Sequence, residues 1–362
     1  MFLNLYPRET VIQSVLEQPD FSHAGRKIVV ALRGISSYLK IVTMSETDSY
    51  RFERLSQANI ADLTIIYRAA FGKEQTTEYF QKKNNTQCFG ATNVGYIAYS
   101  PKGEPAAFYG AYSCVIEYKG QRYLAAQTGD AMTHPSHQRK GLFKALSNLT
   151  FEAAKQEGIS FLFNFPNKTA DSYPLLLKQQ WISTGGWQSY VIRVRGLSIQ
   201  SVRKLVPIGN NAYYAYCRLV LKFFTTSRTA FRNSVIDEDT GGIERSVDYL
   251  EYKTYARNFC LKIKNTIVWL SIRGNTLLVG DMERCALATF HSIIRRLKIL
   301  ALTLGLGYVE FKCSAGVYME KLFDTVKSWK ADNTNTAILC WNLDESFPVN
   351  AIKFTIADYD TF

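Results

Sequence analysis

Ala131-Met-Thr-His-Pro-Ser-His-Gln-Arg-Lys-Gly-Leu-Phe-Lys-Ala-Leu146 runs from the end of a strand through a polar loop straight into a helix. Pro135 closes the strand, because proline cannot donate to a ladder. From Lys140 to Glu157, the side chains of Leu142, Ala145, Leu146, Leu149 and Ala153 trace one helical face, and Gly158 marks the stop. A helix entered in this way turns unpaired N–H groups and the positive end of its dipole toward the loop, which suits phosphate. Gly141 lets the backbone approach a ligand closely, and Arg139, Lys140 and Lys144 add full charges at the same place. The combination favours a pyrophosphate.

Outward from this stretch the periodicity predicts a strand at 51–55, helices at 58–71 and 75–83, and strands at 94–100, 105–118 and 121–133. Pro101, Gly103 and Gly120 separate the last three as hairpin connections. After the helix come a buried strand at 159–165, a loop plus helix over 167–180, and two strands in 181–195 broken at Gly185 and Gly186. The last third of the chain echoes this order: paired strands at 267–272 and 276–282 across Gly274 and Asn275, a helix at 283–304 and a strand at 308–313. Strand, strand, helix, strand is a common arrangement, and no residue-level repeat accompanies it. The expected class is α/β, with a mixed α+β sheet.

With Gln138-x-x-Gly141-x-Phe143 after a strand closed by Pro135, then the amphipathic helix, Phe161-Leu-Phe-Asn-Phe-Pro-Asn167 and the run from Tyr173 to Trp181, the chain resembles the GCN5-related N-acetyltransferase (GNAT) superfamily. That family's phosphate motif is Gln or Arg, two residues, Gly, one residue, then Gly or Ala; Gln138 and Gly141 match it, and Phe143 departs from it. The Phe-Pro-Asn stretch, the echoing second half and the closing Ala357-Asp-Tyr-Asp-Thr-Phe362 are further similar to two-domain acetyltransferases associated with bacterial surface-polysaccharide genes. The resemblance implies a tandem GNAT fold. Its parts would be an N-terminal extension (1–45), a catalytic acetyl-coenzyme A-binding domain (46–195), a basic connector with an amphipathic helix (196–235) and a second, degenerate, non-catalytic domain (236–362).

It also implies acetyl-coenzyme A as co-substrate, with no metal. The pantetheine arm would lie along Ala131, Met132 and Thr133, using the backbone of Ala131 and Thr133 like an added strand. The same amides would polarise the thioester carbonyl. The pyrophosphate would sit over Gln138, Arg139, Lys140, Gly141, Leu142, Phe143 and Lys144, while Asn164 and Asn167 would hydrogen-bond the cofactor amide. Rate would come from aligning amine and thioester, without a covalent enzyme intermediate. An acceptor amine with a pKa of about 10.4 must first lose its proton. Some relatives place a glutamate base where this chain has Gln127, so Asp130 is the nearest carboxylate. The family's general-acid tyrosine position falls at Leu176, leaving Tyr173 as candidate proton donor to the leaving thiolate. His134 and His137 lack the spacing and further ligands of a metal site and read as loop residues.

Composition bounds the remaining possibilities. With 47% apolar and 14% aromatic residues in 362, the chain has material for packed cores of about two domains, which excludes a disordered or disulfide-miniprotein class. Seven widely spaced cysteines without a CxxC pair read as reduced core residues. The first residues lack the pattern of a signal peptide and no apolar run is long enough to span a membrane, so a cytoplasmic location is expected. Of the net charge of +12, +8 lies in residues 191–235, where Arg193, Arg195, Arg203, Lys204, Arg218, Lys222, Arg228 and Arg232 have no acid among them. Tyr213, Tyr216, Cys217, Val220, Leu221 and Phe224 recur there at helical spacing. The expected partner is a small-molecule amine, with the basic connector leaning toward an acidic one. A non-catalytic polyanion or nucleic-acid binder using 191–235 is the alternative, although no recognised nucleic-acid motif is present. A transferase of the same fold using aminoacyl-tRNA is a third reading; retention of Gln138 and Gly141 favours the acetyl donor.

Overall fold

The computed structural model describes residues 27–30, 40–43, 49–195 and 210–362. Strands β1 (Lys27–Val30) and β2 (Lys40–Thr43) form a separate antiparallel pair. The rest of the expected extension and all of 196–209 lie outside the described residues. Then follow β3 (Arg51–Arg54), α1 (Asp62–Phe71), α2 (Thr77–Asn84), β4 (Val94–Tyr99), β5 (Pro105–Tyr118), β6 (Gln121–Thr133), α3 (Leu142–Gln156), β7 (Phe161–Asn164), α4 (Ser172–Lys178) and β8 (Ile182–Arg193). The second half holds α5 (Asn210–Lys222), β9 (Thr225–Thr226), β10 (Gly242–Ile243), α6 (Val247–Tyr252), β11 (Asn258–Ile263), β12 (Thr266–Arg273), β13 (Thr276–Met282), α7 (Leu287–Thr303), β14 (Tyr308–Ser314), α8 (Tyr318–Phe323) and β15 (Trp329–Asn342).

All strands from β3 onward join one 13-stranded mixed sheet in the order β3-β4-β5-β6-β7-β15-β8-β14-β13-β12-β11-β9, with β10 beside β5. Each half uses the same device. Antiparallel neighbours lead into β6 and into β13, a helix crosses over, and the next strand, β7 or β14, returns parallel to them. The last long strand of each half is exchanged: β8 pairs with β14, and β15 pairs with β7 as well as with β8.

The expected break at Gly185 and Gly186 does not occur. β8 runs on through them, paired with β15 across two register shifts: extra residues of β15 between Asn333 and Ala337, and one extra residue of β8, Thr184, opposite Ile338 and Leu339. Glycine inside a strand marks a bulge here, not an end.

The cores follow from alternation. On β7, Leu162 faces the cluster under α3 that includes Ala126, Leu142, Leu146, Phe151 and Trp181, while Phe161 and Phe163 face the opposite layer. That opposite layer spans both halves, running from Phe163 through Trp187 and Phe354 to Trp269 and Phe362. A third cluster packs α7, through Phe290, Ile294 and Leu297, on β13 and β14. Tyr213 and Cys217 of α5 are buried in it, and the Tyr213 and Tyr216 hydroxyls donate to the carbonyls of Leu304 (3.0 Å) and Thr303 (2.6 Å). Tyr216 and Phe224 of the same predicted stripe stay exposed. All seven cysteines are free thiols, five of them buried.

Candidate functional site

β6 decides the site because its two neighbours leave it at different points. It pairs with β7 only through Ala125, Ala126 and Gln127, then continues to Thr133 without β7 beside it. On its other edge the register with β5 slips between Phe108 and Gly110, so that Asp130 and Ala131 oppose the single residue Tyr109. The bulge puts Asp130 at φ 49°, in the left-handed region. The result is a fork whose open arm is residues 128–133. Asn164, the last residue of β7, closes its base by donating to Thr128 Oγ1 at 2.7 Å.

The arm leads into the polar loop. Residues 135–137 make a short 3₁₀ turn whose amides are used locally: Ser136 N donates to His134 Nδ1, His137 N to the His134 carbonyl, and Gln138 N to the Pro135 carbonyl. Arg139 (φ 62°) and Gly141 (φ 78°) then adopt left-handed conformations, and Gly141 caps α3. The amides of Leu142, Phe143 and Lys144, in the first turn, have no intrahelical acceptor and point into the loop. Gln138, Arg139 and Lys144 are exposed. Phe143, the residue that departs from the phosphate motif, turns inward instead. Its ring meets Tyr109 edge-on at 5.4 Å in the core under α3, leaving the backbone of the loop uncovered.

The remaining candidates divide. Ala131 is exposed, Thr133 is half-buried and Met132 anchors its strand in the core of α1 and α2. Asn167 accepts from Thr169 N (3.0 Å) and Thr169 Oγ1 (2.9 Å), the bonding of a turn. Leu176 is a core residue, and half-buried Tyr173, one turn earlier on α4, packs beside the same cluster. His137 Nδ1 meets the Tyr50 hydroxyl at 2.7 Å; burial, with His134 and Lys140 nearby, lowers its pKa. Among the described residues no cluster of three or more His, Cys, Asp or Glu is placed to hold a metal, and no helix is long and apolar enough to cross a membrane.

Asp130 is not solitary. Its carboxylate accepts from Lys83 Nζ (2.8 Å) and from the Tyr112 hydroxyl, and the same ammonium donates to Asp360 Oδ2 (2.9 Å). Lys83 is fully buried at the end of α2 and lies over the Tyr112 ring at 4.7 Å. Burial opposes its charge, but Asp130 and Asp360, with Tyr112 and Tyr79, outweigh that and hold its pKa well above the ordinary lysine range. Asp360 feels burial in the opposite sense, and Lys83 overrides it to hold the carboxyl below its usual value. Gln127, oriented to satisfy both partners, donates to the Asp358 carbonyl (2.9 Å) and accepts from Asp360 N (3.2 Å). A Cβ on Gly129 would stand 3.0 Å from Tyr112 and 3.3 Å from Asp360. The C-terminal residues are thus built into the back of the fork. Lys83, Tyr112 and Asp360 escaped the sequence reading; the one local signal was Lys83 three residues after Phe80, on the same buried face of α2.

The comparisons with known proteins agree with this geometry. Residues 51–174 match the family model described as an acetyltransferase (GNAT) domain. No curated protein matches the chain. Among solved structures, a conserved protein of unknown function and probable N-acyltransferase from Enterococcus faecalis V583 superposes with a TM-score of 0.56 at 13% identity, over 82% of this chain and 73% of that one. GCN5-related N-acetyltransferases from Kribbella flavida (TM-score 0.51, 12% identity, 82% and 71% coverage) and Anabaena variabilis (0.51, 14%, 80% and 72%) share the fold. Residues 51–174 thus match a GNAT acetyltransferase domain, the solved structures share its fold at 12–14% identity, and the match supports an acetyltransferase.

Proposed function

We propose that the chain moves an acetyl group from acetyl-coenzyme A to a primary amine of a small-molecule acceptor, by direct attack within a ternary complex. The observation that carries this reading is the fork: an arm of β6 whose edge toward β7 is unpaired, long enough for a strand-like ligand, opening onto a loop with two left-handed residues and the first turn of α3. In it the arm at Ala131 and Thr133 binds the pantetheine and its amides polarise the thioester carbonyl, while Gln138 to Lys144 hold the pyrophosphate. Asp130, beside Ala131 at the bulge, takes the amine proton directly or through water, and Tyr173 returns a proton to the departing thiolate.

We assign this chemistry to 46–195 and read 236–362 as a non-catalytic second domain. What supports that reading is its own counterpart of the fork, where a Cβ on Gly280 would stand 2.1 Å from the Phe362 ring, so the chain's own C-terminus fills the place.

Isothermal titration with acetyl-coenzyme A tests the reading. Wild type should bind, and Gly141→Glu should abolish binding, since the substitution forces a side chain into a left-handed position and places a carboxylate against the phosphates. Absence of binding by wild type ends the proposal. A panel of amines with free coenzyme A release as readout then identifies the acceptor class, and Tyr173→Phe and Asp130→Asn should each lower turnover by about 10²-fold or more, the scale of a lost acid or base.

A further inference from the structure

We propose that the surface made by α5, the outer face of α7 and the strand ends beside them docks on an anionic lipid membrane. A cavity of about 1220 Å³ lies at this surface and is lined by Arg193, Arg195, Lys298 and Lys327 together with Leu302 and Trp329. A second, of about 250 Å³, is lined by Phe224, Lys262 and Arg296. Ile299 lines both, so the two are one continuous surface. Among the described residues no aspartate or glutamate lines either of them. Arg218 and Lys222 extend the exposed charge along α5, which is fixed to the end of α7 by Tyr213 and Tyr216.

Between these cations stand apolar side chains that folding has left in water. Ile299 is 56% exposed and Leu302 and Trp329 47% each, and on the α5 side Leu219, Phe223 and Phe224 reach 58%, 79% and 55%. Exposed groups of this size in one region mark a docking surface. Charge selects the occupant. A second copy of the chain would bring the same cations face to face. A nucleic acid would use the cations and the rings but would leave Leu219, Ile299 and Leu302 without a role. An anionic membrane satisfies both kinds of group, with lipid phosphates meeting the cations while the apolar side chains enter the headgroup boundary. The surface shares no residue with the fork, so the inference stands apart from the acetyl-transfer reading.

Co-sedimentation of the full chain with phosphatidylcholine vesicles, with and without phosphatidylglycerol, provides the test. Binding is expected only when the anionic lipid is present and should weaken as salt rises. Arg296→Glu with Lys298→Glu should lower it at least about tenfold, since each lipid-facing cation is worth a factor of about five. Leu219→Ser with Phe223→Ser should lower it at unchanged charge, with the far-ultraviolet spectrum and unfolding transition of wild type retained. No binding to the anionic vesicles, or equal binding to neutral ones, overturns the proposal. So does tight binding of a single-stranded oligonucleotide that the apolar substitutions leave unchanged, or a dimer in solution that they abolish.

Discussion

Lys83 shows how a single residue couples the site to stability. A buried ammonium with two carboxylate partners is held charged by them, and removing it leaves both carboxylates without the cation they share. Lys83→Met should therefore cost about 3–5 kcal/mol by urea unfolding, and Asp360→Asn, whose carboxylate keeps a fifth of its side chain in water, should cost less. The pH dependence has a definite sign. Asp360 is held below its unfolded value, so its contribution is complete above about pH 4 and vanishes as pH falls through the folded-state value. Lys83 is held above its unfolded value, so its contribution is complete below about pH 10 and vanishes as pH rises through the folded-state value. Comparing wild type with Asp360→Asn across acid pH should show the acid limb shrinking in the variant. An unchanged limb would mean that Asp360 contributes nothing to stability in acid.

Among the elements, the C-terminal segment does more than its lack of long regular structure suggests. Phe362 is fully buried against Trp269, edge-on at 5.2 Å, and against Gly280; Asp358 accepts from Arg245, and Asp360 reaches Lys83. Phe362→Ala should destabilise by about 3–5 kcal/mol, as emptying a large aromatic site does, measured by the urea midpoint at unchanged slope. This segment also marks where reading from sequence stopped. The strand, loop and helix at 121–157 were legible because period two switches to period 3.6 around Pro135 and Gly141, all within one stretch of chain. The length of β5 and β6 and the hairpin turn at Gly274 and Asn275 were legible for the same reason. What joins Lys83 to Asp130 and to Asp360 spans 47 and 277 residues, and no spacing rule reaches across such separations. The glycines of β8 misled for a related reason, since whether Gly185 and Gly186 end a strand or bulge within it depends on β15, more than a hundred residues away.

At the scale of the whole molecule the exchanged strands decide how the halves depend on each other. β7 takes its outer partner, Leu339 to Asn342, from the far end of the chain, and β14 takes its own, Trp187 to Arg193, from the first half. A chain ending at residue 195 would keep every group proposed for acetyl transfer, yet leave the edge of β7 unpaired, remove the layer from Trp269 to Phe362 and strand Lys83 without Asp360. An open, apolar edge of that kind invites aggregation. We therefore expect residues 49–195 alone to be insoluble or to lack a cooperative transition, and the intact chain to unfold in one transition, with near-ultraviolet dichroism and acetyl-coenzyme A release coinciding. Residues 49–195 and 210–362, produced together as separate chains, should reassociate and recover acetyl-coenzyme A binding, because the ladders between β7, β15, β8 and β14 do not require the connecting segment. Two separated transitions in the intact chain, or a well-folded 49–195 fragment that binds the thioester unaided, would show that the exchange of strands is dispensable to either half.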